Sequence, residues 1–422
     1  MNLQNPEDLW LILPHLGPGG AQKVALLVAE YFIAKGWRVR LITVLPGPSR
    51  AHNIPDGLAI TDLGPAVDSL WKRDHWDRSW LARGRRFLAP KRRSHRFLAR
   101  ILLGPLISLF EPVYPQSFNW RSRLLLWCVH GIDGPPSWKL TEVFEQQQPT
   151  RVVSFLSRTN IRTCSALWLL KCHLVISERN DISLQPLPFP WSRFRRLLYR
   201  RADVLTANTS GVLASLESVF TNRQLALLPN PLPLSKVNWD IDSGMNRCGF
   251  VTVARLVHQK GIDVLIRALV LASCDSEGWG LTLVGDGPER MRLEAQAEQA
   301  GLAERIDFVG FRKDPHAFLV RAGVFVLPSR FEGMPNALME AMAAGLAVIV
   351  TDASPGPLEV VVHGETGLVV PSEDPVALAL ALEQLATNPQ LRDRLGSAAR
   401  EKVKEMDWSV VGPIWESLLE SN

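Results

Sequence analysis

The segment S-R-F-E-G-M-P-N-A-L-M-E-A-M-A-A-G-L-A-V-I-V, Ser329 to Val350, decides how the chain is built. The apolar run Val324–Leu327 just before it reads as a strand. A loop turns at Gly333, and Pro335 suits the first turn of a helix, where its missing N–H is not needed. Ala347–Val350 reads as the next strand, so the segment completes a strand–helix–strand unit. Glu332, at the end of the loop, and Glu340, inside the helix, are separated by seven residues. Two carboxylates so placed can bond the hydroxyls of a sugar and a ribose. The loop at Gly333 and Met334 can offer backbone N–H groups to a phosphate.

The same alternation runs outward in both directions. Downstream of residue 246 the strands are read as Gly249–Val253, Leu281–Val284 and Ile306–Val309, followed by the two just named. At the other end, Trp10–Leu13 runs into the Pro/Gly-rich stretch Pro14–Gly20, then a helical pattern from Ala21 to Lys35 and a strand at Val39–Val44. Residues 66–135 interrupt the rhythm. It resumes with helices at Trp138–Gln147, Ile161–Leu170 and Phe194–Arg201 and strands at Val152–Leu156, Leu174–Ser177 and Val204–Ala207. The Pro-, Asn- and Ser-rich stretch Asn230–Asn246 reads as a linker. A chain of 422 residues exceeds what one hydrophobic core sustains. The expected architecture is therefore α/β, with two Rossmann-like doubly wound domains facing across a cleft. Ligands are expected beyond the carboxyl ends of the strands.

Composition narrows the chemistry. With 46% apolar and 21% charged residues the chain is globular and not disordered. Its five cysteines contain no C-x-x-C pair, which suits neither zinc nor a disulfide framework. Asp240-Ile241-Asp242 has the form of a metal motif but falls in the linker, and no metal is expected there. No apolar run reaches the roughly 18–20 residues of a spanning helix, and the polar start shows no signal peptide, so a cytoplasmic protein is expected. The net charge of +5 hides a crowding of Arg and Lys between Lys72 and Arg123, which points to an anionic partner for that half.

At this point the resemblance is specific. The C-terminal half resembles glycosyltransferase family four, a GT-B family. It carries the Glu–seven residues–Glu signature, A-R-L-V-H-Q-K-G (Ala254–Gly261), V-G-D-G-P (Val284–Pro288), F-V-G-F (Phe308–Phe311) and G-P-L-E-V-V-V-H-G-E-T-G-L-V-V-P (Gly356–Pro371), in the family's order. The resemblance implies domains at 1–235 (acceptor, with the insertion 66–135) and 236–406 (nucleotide sugar), and a helix, 407–422, packing back on the first. It implies Arg255 and Lys260 on the departing diphosphate and Glu332 on the transferred sugar, as catalytic residues. Gly19, Gly20, Gly285, Phe311, Gly333, Met334 and Glu340 are implied at the donor. The family uses the nucleotide sugar as co-substrate, here expected as a UDP-sugar, and needs no cofactor or metal. Transfer is expected to retain the anomeric configuration.

V-V-S-F-L-S-R-T-N-I (Val152–Ile161) and V-I-S-E-R-N-D (Val175–Asp181) resemble a narrower group, bacterial transferases that add hexose or N-acetylhexosamine to undecaprenyl-linked glycans and surface polysaccharides. Arg158, Asn160, Glu178 and Arg179 are implied as acceptor contacts, although Glu178 and Arg179 also fit a buried ion pair. His130 is read as a core or surface histidine. Between Trp71 and Phe110, Arg and Lys alternate with Trp, Phe and Leu, which suits an anionic leaflet and a peripheral site on the inner face of the cell membrane. Nucleic acid is not expected, because no recognition motif accompanies the charge. The readings left open beside a transferase are a nucleotide-sugar epimerase on the same fold and a non-catalytic membrane-surface sugar-binding protein. A nicotinamide dehydrogenase is disfavoured, since G-P-G-G-A-Q-K lacks the third glycine of its fingerprint.

Overall fold

The computed structural model describes residues 8–69, 115, 120–221, 223–234, 247–272 and 279–420. Asp240–Asp242, Cys274 and the cationic stretch from Trp71 to Phe110 lie outside the described residues. The chain forms two compact units. One comprises 1–207, 213–227 and 415–422, and the other 208–212 and 228–414.

The first unit is a seven-stranded sheet in the order β3-β2-β1-β4-β5-β6-β7. The strands are β1 (Asp8–Leu13), β2 (Arg38–Thr43), β3 (Ala59–Asp62), β4 (Arg151–Phe155), β5 (His173–Glu178), β6 (Val204–Ala207) and β7 (Gln224–Leu227), all paired in parallel. The central strands β1, β4, β5 and β6 are almost wholly buried, which is why each carries a run of apolar residues, with Ser154, Ser177 and Thr206 as buried polar exceptions. β3 and β7 are edge strands with half-exposed patterns, and hydropathy alone does not reveal them. Helices α1 (Gly20–Ala34), α2 (Trp120–Asp133), α3 (Pro135–Gln147), α4 (Ser157–Ala166), α5 (Trp191–Leu198) and α6 (Ser210–Glu217) connect or follow these strands.

The second unit holds six parallel strands in the order β10-β9-β8-β11-β12-β13. They are β8 (Phe250–Val253), β9 (Leu281–Val284), β10 (Ile306–Gly310), β11 (Val324–Leu327), β12 (Ala347–Thr351) and β13 (Leu368–Val370). Helices α7 (Ile262–Leu271), α8 (Arg290–Gln299), α9 (His316–Leu319), α10 (Asn336–Ala343), α11 (Pro355–Leu358), α12 (Pro375–Thr387) and α13 (Pro389–Lys402) cover them. Two apolar clusters form the core. One is built on Leu265, Leu281, Val324 and Leu382, and the other on Phe325, Leu338, Met342 and Val348.

Asn230–Leu234 is not linker. Leu232 N donates to Met406 O at 2.8 Å, and its side chain joins the core of the second unit, so this stretch is packed within that unit. The last helix, α14 (Trp408–Glu420), ends in the first unit. There Trp415 is buried and Tyr31 donates to Glu416 at 2.5 Å. The terminal carbonyls are met by Arg151 (2.8 Å to Leu419 O) and His173 (2.7 Å to Leu418 O), basic groups suited to a helix end.

Close backbone approach marks the carboxyl edge of the second sheet. Gly261 has φ +63°, and a Cβ there would stand 1.9 Å from Pro328 O. Gly261→Ala should therefore cost about 2–4 kcal/mol, through strain and a displaced loop. Gly131→Ala, where a Cβ meets nothing within 4 Å, should be neutral or slightly stabilising. Calorimetric unfolding midpoints separate the two, and equal midpoints would contradict this account.

Candidate active site

In the second sheet the winding direction reverses between β8 and β11, and that is where an open α/β sheet leaves a crevice for ligands. The loop after β8 (Ala254–Gly261) and the loop after β11 (Pro328–Pro335) both start there. Lys260 closes the first loop and Glu332 lies in the second. Lys260 Nζ donates to Glu332 Oε1 at 2.5 Å, with side-chain exposures of only 17% and 8%. Ser329 Oγ donates to the same oxygen at 2.6 Å, and Glu332 N donates to Ser354 Oγ at 2.8 Å. Thus Oε1 carries two donors, while Oε2 has no partner among the described residues.

Of the other residues read as donor contacts, the structure brings several to this edge. Gly285 follows β9 with φ +148°, where a Cβ would meet Ala254 O at 1.8 Å. Leu256 N donates to Asp286 O at 2.9 Å, and Gly285 N to Gly310 O at 3.0 Å, which places Phe311, 40% exposed, in the next loop. Arg255 is exposed, and its side chain has no partner among the described residues. The backbone N–H groups of Gly333 and Met334 donate to nothing among the described residues. Their carbonyls face inward: Met334 O accepts from Asn230 Nδ2 at 3.1 Å, and Gly333 O lies 1.9 Å from where a Gly356 Cβ would be. Pro335 is the N-cap and not the first helical residue. Glu340 lies one turn into α10, 7% exposed. Among the described residues no cluster of His, Cys, Asp or Glu could hold a metal ion.

In the first sheet the reversal falls between β1 and β4. Gly19 caps α1 after β1, with its carbonyl 3.3 Å from His52 Nε2, and Gly20 opens the helix. After β4 the chain turns at Leu156, whose φ of +74° is a strained conformation for a bulky residue. Arg158 follows, exposed, with its guanidinium 5.1 Å from the Trp191 ring. Asn160 is fully buried and donates to Ser177 O at 3.2 Å. Glu178 is also buried. Its two oxygens accept from Tyr199 Oη and from Ser157 Oγ (2.9 Å), so the carboxylate is tied to this turn and to the helix behind it. Burial holds its carboxyl above the ordinary range, although the hydrogen bonds from Tyr199 and Ser157 pull the other way. Burial also lowers the Arg179 guanidinium to about 9, and that group lies 5.3 Å from the Phe155 ring. His130 bonds Thr141 between α2 and α3 at 3.3 Å, and burial lowers its imidazole.

Sequence reasoning missed Asn230, Ser329, Ser354 and Arg330. Ser329 and Arg330 sit inside the decisive segment, but nothing in their spacing tells what they bond. Asn230 was hidden in a stretch whose composition resembles a linker.

The family model for glycosyl transferases group 1 matches residues 241–402. The chain is 33% identical over 339 residues to the lipopolysaccharide core biosynthesis mannosyltransferase LpcC of Rhizobium leguminosarum bv. viciae, covering 76% of this chain and 91% of that protein. The chain belongs to the group 1 glycosyltransferases. This glycosyltransferase is also 28% identical over 286 residues to the GalNAc-alpha-(1->4)-GalNAc-alpha-(1->3)-diNAcBac-PP-undecaprenol alpha-1,4-N-acetyl-D-galactosaminyltransferase of Campylobacter jejuni, covering 66% of this chain and 77% of that one. Its GT-B fold is shared with Anabaena HepE, solved in complex with UDP and glucose, at a TM-score of 0.71 and 17% identity over 98% of this chain and 99% of that one. Coverage of other relatives is partial: the glycosyltransferase spans 20% of the length of a Streptomyces coelicolor exopolysaccharide phosphotransferase and 60% of Rhizobium meliloti LpsD.

The raised Glu178 carboxyl has a consequence for stability. Its unfolded value is about 4.3, so the folded state holds its proton more tightly. The stabilising contribution is complete below that value and is lost as pH rises through the folded one. Glu178→Gln lacks this titration. Its stability relative to the wild type, measured by urea unfolding from pH 4 to 7, should therefore rise with pH, and parallel profiles would refute the assignment.

Proposed function

We propose that this glycosyltransferase moves a hexose or N-acetylhexosamine from a nucleotide sugar, with UDP as the nucleotide, to a polyprenyl-diphosphate-linked glycan at a membrane surface, with retention of configuration. The observation that carries the donor half is the pairing of Lys260 with Glu332 at the reversal point of the second sheet, beside a partner-free Arg255 and two unused backbone N–H groups. As the glycosidic bond breaks, charge develops on the departing diphosphate. Arg255, the remaining N–H groups of Lys260 and the amides of Gly333 and Met334 are suited to receive it, and donors fixed in place lower a barrier more than mobile ones. These groups make a metal unnecessary. Glu332 Oε2 is open to a sugar hydroxyl, and Glu340 takes the ribose. The acceptor hydroxyl attacks from the side the diphosphate leaves and passes its proton to a phosphate oxygen, so no protein nucleophile is needed.

The acceptor half draws on the relatives, one named for lipopolysaccharide core synthesis and one for an undecaprenol-linked substrate. Arg158 is the exposed cation of its motif, while Asn160 and Glu178, both buried, hold the turn that presents it. Among the described residues no helix is long and apolar enough to cross a membrane. α2 exposes Trp120 by 62% and Trp127 by 73%, one helical face apart by seven residues, with Arg121 and Arg123 alongside. Indoles with neighbouring cations suit the headgroup region of an anionic leaflet. These features support the reading of a peripheral enzyme on the inner face of the cell membrane.

Incubation with a panel of UDP-, GDP- and ADP-sugars should give slow hydrolysis of a UDP-sugar. Arg255→Ala and Lys260→Ala should each lower turnover by about 10²–10³-fold. Near-wild-type rates in both would remove the diphosphate assignment. Glu332→Gln should weaken binding of the nucleotide sugar more than of the free nucleotide, and Glu340→Gln should weaken both. Equal calorimetric losses in the Glu332 variant would contradict that division. The protein should sediment with anionic liposomes, less with neutral ones, and less as salt rises. Binding unchanged by salt would show that apolar insertion outweighs charge.

A further inference from the structure

Arg330 stands two residues before Glu332 and looks, from its place, like a third cation for the diphosphate. Its hydrogen bonds say otherwise. Nη1 donates to His258 O (2.6 Å) and Asp263 Oδ1 (2.8 Å), and Nη2 donates to Asp263 Oδ2 (2.9 Å) and Glu373 Oε2 (3.2 Å). Nε pairs with Glu373 Oε1. A guanidinium has five N–H groups, and all five are taken. Asp263 belongs to the first turn of α7, directly after the Lys260 loop. Glu373 is held with φ +63°, a left-handed conformation that a non-glycine residue adopts at a cost. The backbone repeats the link: Arg330 N donates to Gln259 O at 2.8 Å, and Gln259 Nε2 to Phe331 O at 2.9 Å.

We propose that Arg330 is a positioning residue that does not touch the donor: it welds the loop carrying Lys260 to the loop carrying Glu332 and so sets the reach between ammonium and carboxylate. The acceptors come from His258 and Asp263 on one side and Glu373 on the other, with the Glu332 loop between them. Their carboxylates raise the Arg330 guanidinium above its ordinary value, and burial opposes this. Asp263 is lowered: burial works the other way, but the hydrogen bonds and charge of Arg330, with a backbone N–H and the charge of Arg292, together outweigh it. Lysine cannot reproduce the weld, since a point ammonium has three donors and no fork. The inference rests on the reading of Lys260 and Glu332 as donor groups, and its test is built to fail separately from that reading.

Hydrogen exchange of the full chain tests the weld without any substrate. In Arg330→Lys the bonded amides of the two loops (Leu256, Lys260 and Gly261 in one, Arg330 and Glu332 in the other) should lose protection together, while β8 and β11 keep theirs. If the 255–261 loop is unaffected, the weld is refuted. Turnover of the donor then tests the consequence. Arg330→Lys should reduce it on the order of 10²-fold, as a misplaced group of about 1 Å does. In a Glu332→Gln background the same substitution should cost less than about threefold, because the two act through one contact. Full additivity would show that Arg330 only stabilises the fold and would overturn the proposal. Should Arg330→Lys not fold, Glu373→Gln at the exposed rim removes one acceptor and should shift exchange in the same two loops, and no shift would overturn the proposal. If the loops loosen together but the wild type turns over no sugar nucleotide, the donor reading falls and the weld stands.

Discussion

Backbone lying on backbone at the carboxyl edge of the second sheet is the constraint on which the candidate site depends. At Gly261, Gly285 and Gly356 a Cβ would stand within 2 Å of a carbonyl oxygen of a neighbouring loop. Loops that close have little room for side chains between them, so their polar main-chain groups must find partners in one another. They do: Ala254 bonds Val284, Leu256 bonds Asp286, and Arg330 bonds Gln259, each through the backbone. The few side chains that enter, Lys260, Glu332, Ser329 and Arg330, then have their positions fixed by neighbours on separate strands. Positions fixed in this way are what electrostatic stabilisation by preorganised groups requires.

The two sheets use the same topological device with different chemistry. In the second, the reversal point carries an ion pair still partly open to solvent. In the first, the corresponding turn carries a strained Leu156 and, behind it, a buried carboxyl held by Tyr199 and Ser157. A left-handed leucine costs on the order of 1–3 kcal/mol and persists only where its surroundings over-determine it. Asn160 N bonding Leu156 O at 2.8 Å, together with Ser157 bonding Glu178, supplies that determination. The exposed product of the arrangement is Arg158, the one residue of its motif placed to meet something outside the fold.

What the sequence makes legible follows from range. Central strands such as Val204–Ala207 and Val324–Leu327 are apolar because both faces are covered, and they are read to the residue. Edge strands β3 and β7 are short and half-covered, and leave no such signal; β13 is mostly buried but only three residues long. The segment Ser329–Val350 announces its chemistry because its functional groups are close in sequence. Lys260 and Glu332, 72 residues apart, are read as sharing a donor but not as touching. Asn160 and Glu178 were expected at the acceptor, yet depth is a property of the whole fold, and their burial is invisible in a local motif. Asn230 bonds Met334 across 104 residues, so a Pro-rich composition masks a buried, bonded side chain.

The pairing of Lys260 with Glu332 also bears on how charge is managed at the site. A lone ammonium at 17% exposure would be costly to desolvate, and a lone carboxylate at 8% more so. Paired, each compensates the other, yet neither is exhausted. The ammonium keeps two N–H groups and the carboxylate keeps Oε2. In the proposed role, a donor carrying both phosphate oxygens and sugar hydroxyls suits that remainder, its anionic part matching the spare N–H groups and a hydroxyl the spare oxygen. A ligand with only one of these features leaves half of the pair unused. On the proposed reading, the contact that compensates these two charges is also the one that distinguishes a nucleotide sugar from a nucleotide, with Ser329 and Arg330 bonded behind it.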